Sequence, residues 1–186
     1  DDAKHTVRLK IYTSSTPIAL SDCLPMLENL GFRVIEEYAF NVTTGENTGN
    51  PSHSIHDFYL EDPNGNALDL AELKARMEDA LIAVWAGEID NDGFNKLVLK
   101  AGMPHHHALI LRIYSKYLRQ LGSAYSELYM QDTLTQYVKV SKLLAELFEI
   151  YFSFNVANDY DRNEKAAKHI KKIKRRLTKV ESLDQD

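Results

Sequence analysis

Apolar and polar residues alternate in three short stretches within the first third of the chain. Val7, Leu9 and Ile11 are each separated by one residue, the period of two that is expected of a strand with one buried face. The alternation returns over residues 33–43 and 54–60, which are also rich in aromatic residues. Three strands are therefore predicted in this part of the chain.

A helix is predicted between the first two strands. Ser21 can cap its start, and Gly31 can end it in the left-handed conformation. One side of this helix carries leucines, namely Leu20, Leu24, Leu27 and Leu30. In the strand that follows, one face is predicted to carry Val34, Tyr38, Phe40 and Val42.

After the turn-forming residues 62–66, the apolar period changes from two to three or four, which is typical of helices. Asp69, followed three positions later by Glu72, has the spacing of a capping box. Helices are predicted over residues 69–87, 93–100, 104–121, 123–131, 133–152 and 162–180. The predicted fold class is α+β, with a small β-α-β-β sheet module at residues 1–68 and a helical region at residues 69–186.

Composition narrows the class of protein. Hydrophobic residues make up 44% of the chain and the formal net charge is −5, which gives no electrostatic reason to expect a nucleic acid as partner. The single cysteine, Cys23, cannot form an internal disulfide and fits a reducing compartment. The apolar run from Ala80 to Ala86 is far shorter than the roughly 20 residues of a membrane-spanning helix. These features predict a cytoplasmic protein without a membrane partner.

The two ends of the chain resemble cut points. The sequence starts at Asp1 without an initiator methionine and enters a strand-like pattern within a few residues. It stops at Asp186, shortly after a charged helical pattern. We therefore expect an internal piece of a longer protein.

No constellation of residues predicts catalysis, a cofactor or a metal ion. Dinucleotide and phosphate loops need closely spaced glycines, and the eight glycines contain no Gly-x-Gly. His105, His106 and His107 are consecutive and point about 100° apart on a helix, whereas chelation from one helix uses residues four apart. His56 and Asp57 alternate to opposite faces of a strand, which argues against a catalytic pair. Catalytic, cofactor-binding and metal-binding residues are all predicted to be absent.

A run of cations marks the last predicted helix. The run consists of Lys165, Lys168, Lys171, Lys172, Lys174, Arg175, Arg176 and Lys179, with no acid among them. Such a helix could bind phosphates or an anionic surface. The same helix carries an apolar stripe of Ala166, Ile170, Ile173, Leu177 and Val180. The stripe favours docking on neighbouring helices, with the charges left in water.

Three stretches carry a recognisable series of residues. The first reads LSDCLPMLENLG at residues 20–31 and continues as RVIEE at 33–37. The second reads AVWAGE at 83–88, NDGFNKLV at 91–98 and AG at 101–102. The third comprises LR at 111–112, YLRQ at 117–120, LF at 147–148 and the region of Asp161. Taken in this order, they resemble the large bacterial NAD-dependent glutamate dehydrogenases over nearly the whole chain.

The resemblance implies a fold and a place in a larger enzyme. The fold is an ACT-like module, normally β-α-β-β-α-β, followed by helical motifs, although no last strand is evident after Asp69. In the family a dehydrogenase core follows, which converts L-glutamate and NAD to 2-oxoglutarate, ammonium and NADH. The family's catalytic residues and nucleotide-binding glycines belong to that core. NAD is therefore expected as the cofactor of the parent enzyme, and no cofactor is expected in this segment.

The resemblance also marks a possible effector loop between the first strand and the first helix. The candidate residues are Ser14, Thr16, Pro17, Ile18 and Ser21. ACT modules that sense amino acids usually carry Pro-Gly there, where the missing side chain leaves room for the ligand. Because Ile18 stands in the place of that glycine, a structural role is easier to defend than a sensor role.

The leading hypothesis is a non-catalytic structural and regulatory segment of an NAD-dependent glutamate dehydrogenase. Its expected partners are the remainder of the parent chain and other subunits of a homo-oligomer, with no nucleic acid and no membrane. One alternative is an amino-acid-sensing allosteric module. Another is an interaction module whose basic helix binds anionic surfaces.

Overall fold

A computed structural model describes residues 6–14, 17–42, 53–153 and 159–180. The chain forms two compact units, one within residues 1–92 and the other within residues 93–186. The second helix belongs to the same unit as the sheet. The sequence boundary near residue 68, where the α/β pattern gives way to helices, stays a prediction.

The described part of the first unit contains a sheet and two helices. Its elements are β1 Thr6–Ser14, α1 Leu20–Asn29, β2 Arg33–Val42, β3 His53–Glu61 and α2 Leu70–Trp85. The second unit opens with a 3-10 turn, Gly93–Asn95, and continues with α3 Lys96–Lys100, α4 His105–Gln120, α5 Glu127–Gln136, α6 Val138–Phe152 and α7 Asp159–Leu177. This order confirms the predicted α+β class, a sheet module followed by helices.

The sheet is antiparallel with the order β1-β3-β2, so β3 is its central strand. Val7 lies opposite Leu60, and both are buried on the inner face of the sheet together with Phe58. Leu27 of α1 and Met77 of α2 are buried as well. The inner face therefore forms the core of the first unit with its helices.

A β-bulge in β2 changes the predicted arrangement of its side chains. Val34 and Glu36 lie opposite successive residues of β3, so Ile35 is an extra residue. Val34, before the bulge, lies on the inner face. After the bulge the alternation is reversed, so Tyr38, Phe40 and Val42, which were predicted to share the face of Val34, lie on the outer face and are exposed. The predicted common face is wrong, because simple alternation takes no account of one inserted residue.

The start of α1 also differs from the prediction. The helix begins at Leu20, one residue before Ser21, and its N-cap Ala19 offers no side-chain hydrogen bond. Leu20 is exposed, and the buried side of the helix carries Cys23, Met26 and Leu27. The predicted cap at Ser21 is therefore wrong. The predicted end is confirmed, since Gly31 has a φ of 103°.

The helical unit has a core to which several helices contribute. The core residues are Phe94, Leu97, Met103, Ala108, Leu111 and Ala145. The break between α5 and α6 lies at Tyr137 and not at the predicted Asp132. Ser126 caps α5, because its hydroxyl accepts a hydrogen bond from the Tyr129 N–H at 3.1 Å.

The basic helix α7 packs on α6 through its apolar stripe. Ala166 and Ile173 are buried, while Lys168 and Lys172 on the other side are exposed. This burial confirms the prediction that the helix docks on its neighbours with its charges in water.

Candidate functional site

The predicted effector residues surround the junction between β1 and α1. Ser14 ends β1, and Ser21 lies in the first turn of α1. Pro17 is exposed, Ile18 is half-buried, and Thr16 lies outside the described residues.

The side chain of a buried histidine accepts a hydrogen bond from a main-chain N–H of the junction. The Ile18 N–H donates a hydrogen bond to His56 Nε2 at 3.1 Å. A main-chain N–H can only donate, so Nε2 carries no proton and the ring proton is on Nδ1. Nδ1 lies 2.8 Å from Glu37 Oε1 and donates to it. A chain of hydrogen bonds thus runs from the loop through the imidazole to a carboxylate.

Glu37 is the residue of this site that sequence reasoning missed. It lies on the inner face of β2, opposite Phe58, while His56 is opposite the neighbouring inward residue, Ala39. The side chains of His56 and Glu37 are only 3% and 16% exposed, so this pair is shielded from water. An acidic residue at an inward strand position is the signal that could have found it. That position becomes inward only once the bulge at Ile35 is known.

Cys23 is another buried group of the first unit. Burial raises the pKa of the Cys23 thiol to about 11, and the negative charge of Glu37 adds to this shift. At neutral pH the side chain is therefore a protonated thiol and a poor nucleophile.

The arrangement holds the β1–α1 junction on the sheet. In a loop that binds an amino acid, main-chain N–H groups meet the ligand carboxylate. Here the Ile18 N–H is already bonded to His56, and Ile18 adds a side chain where a glycine would leave space. A second bond, between the hydroxyls of Thr13 and Ser54, lies at the same end of the sheet. The geometry favours a structural junction.

The outer sheet face is the surface opposite the helices, and it includes Arg8, Lys10, Tyr12, Glu36, Tyr38, Phe40, Val42, Ile55, Asp57 and Tyr59. Its centre is the buried Asp57, which accepts two hydrogen bonds from Arg8, one of them from Nε at 3.3 Å. The Arg8 guanidinium holds the pKa of Asp57 below its ordinary value. Asp57 and His56 lie on opposite faces of the sheet, as the alternation along the strand predicts.

Aromatic rings surround this ion pair. The Arg8 guanidinium lies 4.9 Å from the centre of the Tyr59 ring, and Tyr38 meets Tyr59 edge to face at 5.9 Å. Tyr12 and Phe40 are 68% and 52% exposed. Large aromatic side chains are thus held on an ordered but solvent-facing surface.

Two further groups from the sequence lie in the helical unit. His106 and His107, in the first turn of α4, approach Glu149 of α6. Burial lowers the pKa of His107, and the neighbouring His106 adds to the effect. The basic residues of α7 line a groove with α6, formed by Lys139, Lys142, Leu143, Glu146, Lys172, Arg175 and Arg176.

Two protein-family models match the chain. The model "Glutamate dehydrogenase, ACT3 domain" matches residues 1–73, and the model "Glutamate dehydrogenase, helical motif 3" matches residues 89–154. The NAD-specific glutamate dehydrogenase of Halomonas elongata is 38% identical over 146 residues, or 78% of this chain. The enzymes of the same name from Pseudomonas aeruginosa and Mycobacterium tuberculosis are 32% and 34% identical over 95% and 81% of this chain.

The chain matches a segment of the NAD-specific glutamate dehydrogenases. It spans 9% of the length of the Halomonas and Mycobacterium enzymes and 11% of the Pseudomonas enzyme. The ACT3 match ends inside α2, so it includes the β1–α1 junction and the whole outer sheet face. The helical motif 3 match includes the group of His106, His107 and Glu149. The basic helix α7 lies beyond both matched ranges.

The chain lacks the glycine pattern of the common binding site for the cofactor that names these glutamate dehydrogenases. The common dinucleotide site places closely spaced glycines at the start of a helix, and the sequence contains no Gly-x-Gly. No residue of this chain is therefore assigned to NAD. In the part of the chain that the structure describes, no helix combines the length and the apolar character needed to cross a membrane.

Proposed function

We propose that this chain is a non-catalytic structural and regulatory segment of an NAD-dependent glutamate dehydrogenase. The parent enzyme carries out the oxidative deamination of L-glutamate to 2-oxoglutarate and ammonium with NAD in the cytoplasm, using residues outside this segment. The segment supplies surfaces that contact the remainder of the parent chain and other subunits of a homo-oligomer.

The outer sheet face is the observation that carries this proposal. Aromatic side chains are enriched in protein interfaces because they bury a large area with little loss of conformational freedom. Here Tyr12 and Phe40 are more than half exposed beside a hydrogen-bonded pair of Arg8 and Asp57. Exposed aromatic rings beside an ordered arginine are typical of a docking surface, in which Tyr and Arg side chains often contribute most of the binding energy.

The test replaces aromatic residues of this face in the full-length enzyme. We expect Tyr12→Ser combined with Phe40→Ser to weaken subunit assembly or to lower activity, because the contact loses apolar area. Sedimentation and steady-state assays measure the two effects. Ile82→Ser is the matched control, since Ile82 is 65% exposed on α2 of the same unit. Unchanged assembly and activity in the double variant contradict the proposal.

The isolated segment provides a separate test of the non-catalytic role. We expect the 186-residue chain to form no NADH from glutamate and NAD above a protein-free control. Turnover by the chain, once a contaminating dehydrogenase has been excluded, refutes this part of the proposal.

The groove between α6 and α7 favours one second candidate function, binding of an anionic partner. Five of its lining residues are cations, Lys139, Lys142, Lys172, Arg175 and Arg176, and one is the acid Glu146. Binding to duplex DNA or anionic liposomes that weakens steeply with added salt supports this candidate. No binding to either at low salt removes it.

A further inference from the structure

Two histidines and a glutamate bring three metal-ligating groups together within the helical unit. Nε2 of His106 and Nε2 of His107 lie 3.9 and 3.8 Å from Oε1 of Glu149. The ligand atoms of the three residues all lie within 4.8 Å of one another. His105, the first histidine of the run, is not part of this group.

The packing of α4 on α6 creates this group. Leu111 of α4 and Ala145 of α6 are buried in the same core. His107 precedes Leu111 by four residues, and Glu149 follows Ala145 by four, so these two ligands lie on the same side of their helices as the core residues. The core contact therefore brings the first turn of α4 beside the last part of α6. A search for a chelating pair on one helix misses such a site.

The two nitrogen-to-oxygen separations are close to those of a metal site. Zinc binds imidazole nitrogen and carboxylate oxygen at about 2.0–2.2 Å, so two tetrahedral ligands are about 3.4 Å apart. The observed nitrogen-to-oxygen distances are longer by about half an ångström, a shift that side-chain rotation can supply. The side chains of His106 and Glu149 are 55% and 44% exposed and can make this movement. His107, at 14%, is held more firmly.

In the described part of the helical unit, the neighbouring acid Glu146 is bonded elsewhere and does not engage His106, His107 or Glu149 in a hydrogen bond. The carboxylate of Glu146, one turn before Glu149, is hydrogen-bonded to His169 of α7 at 2.9 Å. Within the described residues, Nδ1 of His107 is enclosed and has no hydrogen-bond partner. Nε2 is then the nitrogen of His107 that faces Glu149.

We propose that His106, His107 and Glu149 bind one divalent transition-metal ion of the zinc class. Two imidazoles and one carboxylate suit zinc, cobalt or nickel, whereas calcium and magnesium prefer a shell of oxygens. The ion connects α4 to α6, and its open coordination positions take water or a ligand atom from another part of the parent enzyme. It stabilises the helical unit, because binding to the folded state alone shifts the folding equilibrium.

The test uses the 186-residue chain without an affinity tag, after treatment with a chelator. Calorimetric titration with zinc measures stoichiometry and affinity, and thermal unfolding with and without zinc measures stabilisation. We expect one ion per chain and a higher unfolding temperature that a chelator reverses. Magnesium at the same concentration should have no effect.

Matched variants separate the site from a chance effect of the histidine run. Loss of one ligand should weaken zinc binding at least about tenfold in both His106→Ala and Glu149→Gln. These two side chains are substantially exposed, so the fold should survive. His105→Ala, the neighbouring histidine outside the group, should bind zinc like the parent sequence. The proposal is overturned by absence of saturable zinc binding, by full binding in either ligand variant, or by an equal loss in His105→Ala.

Discussion

Single residues determine which hydrogen bonds form at the β1–α1 junction and how much space it leaves for a ligand. Pro17 and Ile18 were accessible to sequence reasoning, because a glycine is expected there in ACT modules that bind amino acids. The partner of the Ile18 N–H was not accessible, since His56 is far along the chain and Glu37 becomes inward only through a bulge. Local sequence can show that a loop is unusual, but its hydrogen-bond partner depends on strand register.

Glu37 should stabilise the first unit through its bond to His56. We expect Glu37→Ala to lower the free energy of unfolding by about 1–3 kcal/mol, because the Nδ1–H of a buried imidazole loses its acceptor. Glu37→Gln should cost less, since an amide oxygen can accept the same bond. Urea unfolding followed by circular dichroism measures both. Equal losses in the two variants contradict a hydrogen-bonding role.

Cys23 should be protected from thiol reagents in the folded chain. With its pKa raised to about 11, the thiolate fraction at mildly alkaline pH is far below that of a free cysteine. We expect alkylation of the folded chain to be at least about 100-fold slower than alkylation of the urea-unfolded chain. Mass spectrometry of iodoacetamide-treated samples measures the two rates. Similar rates would show that the thiol is reached in the native state.

At the scale of elements, the sequence predicts most helices and strands but fewer of their details. Asp69 is the predicted cap of α2, and its carboxylate accepts from the Ala71 N–H at 3.0 Å. Ser21 is the wrong cap, and Tyr137 breaks a helix in the absence of glycine or proline. A cap can be predicted from local sequence, whereas the break at Tyr137 has no local stop signal.

The caps give a matched pair of stability predictions. We expect Asp69→Ala to destabilise the first unit by about 1 kcal/mol, since two N–H groups of α2 lose their acceptor. Ser21→Ala should change stability by less than about 0.5 kcal/mol, because Ser21 lies inside α1 and caps nothing. Midpoints of urea unfolding decide between them. A larger loss of stability in Ser21→Ala than in Asp69→Ala would show that Ser21 caps α1, as the sequence predicts.

The ion pair of β1 and β3 should make the sheet sensitive to acid. The Arg8 guanidinium lowers the pKa of Asp57 in the folded chain. The ion pair therefore contributes its full stabilisation above the pKa of an unfolded aspartate, about 3.9. The contribution is lost as pH falls through the lower folded value. We expect Arg8→Met to be less stable at neutral pH and to lose less stability on acidification. Urea midpoints from neutral pH to about pH 3 test this, and parallel pH profiles contradict it.

At the scale of the whole molecule, two compact units lie within one chain. α2 contributes Leu73, Met77 and Ala80 to the buried residues of the first unit, although the change of sequence pattern near residue 68 precedes it. Periodicity finds where helices begin. It does not tell whether a helix packs on the sheet before it or on the helices after it.

Truncation tests the boundary directly. We expect a chain of residues 1–92 to keep a cooperative unfolding transition, because α2 remains to cover apolar residues of the sheet. A chain of residues 1–68 should lose that transition and bind hydrophobic dyes. Circular dichroism and dye fluorescence compare the two. An equally cooperative 1–68 chain places the boundary where the sequence pattern changes.

The strand order has a consequence for synthesis on the ribosome. β1 and β2 each pair with β3, which is the last of the three strands in the sequence. Until β3 has left the exit tunnel, the nascent chain therefore presents two strands with unsatisfied main-chain groups and no partner of their own. The sheet can therefore form only after residues 53–61 have emerged from the ribosome, when β1 and β2 can both pair with β3.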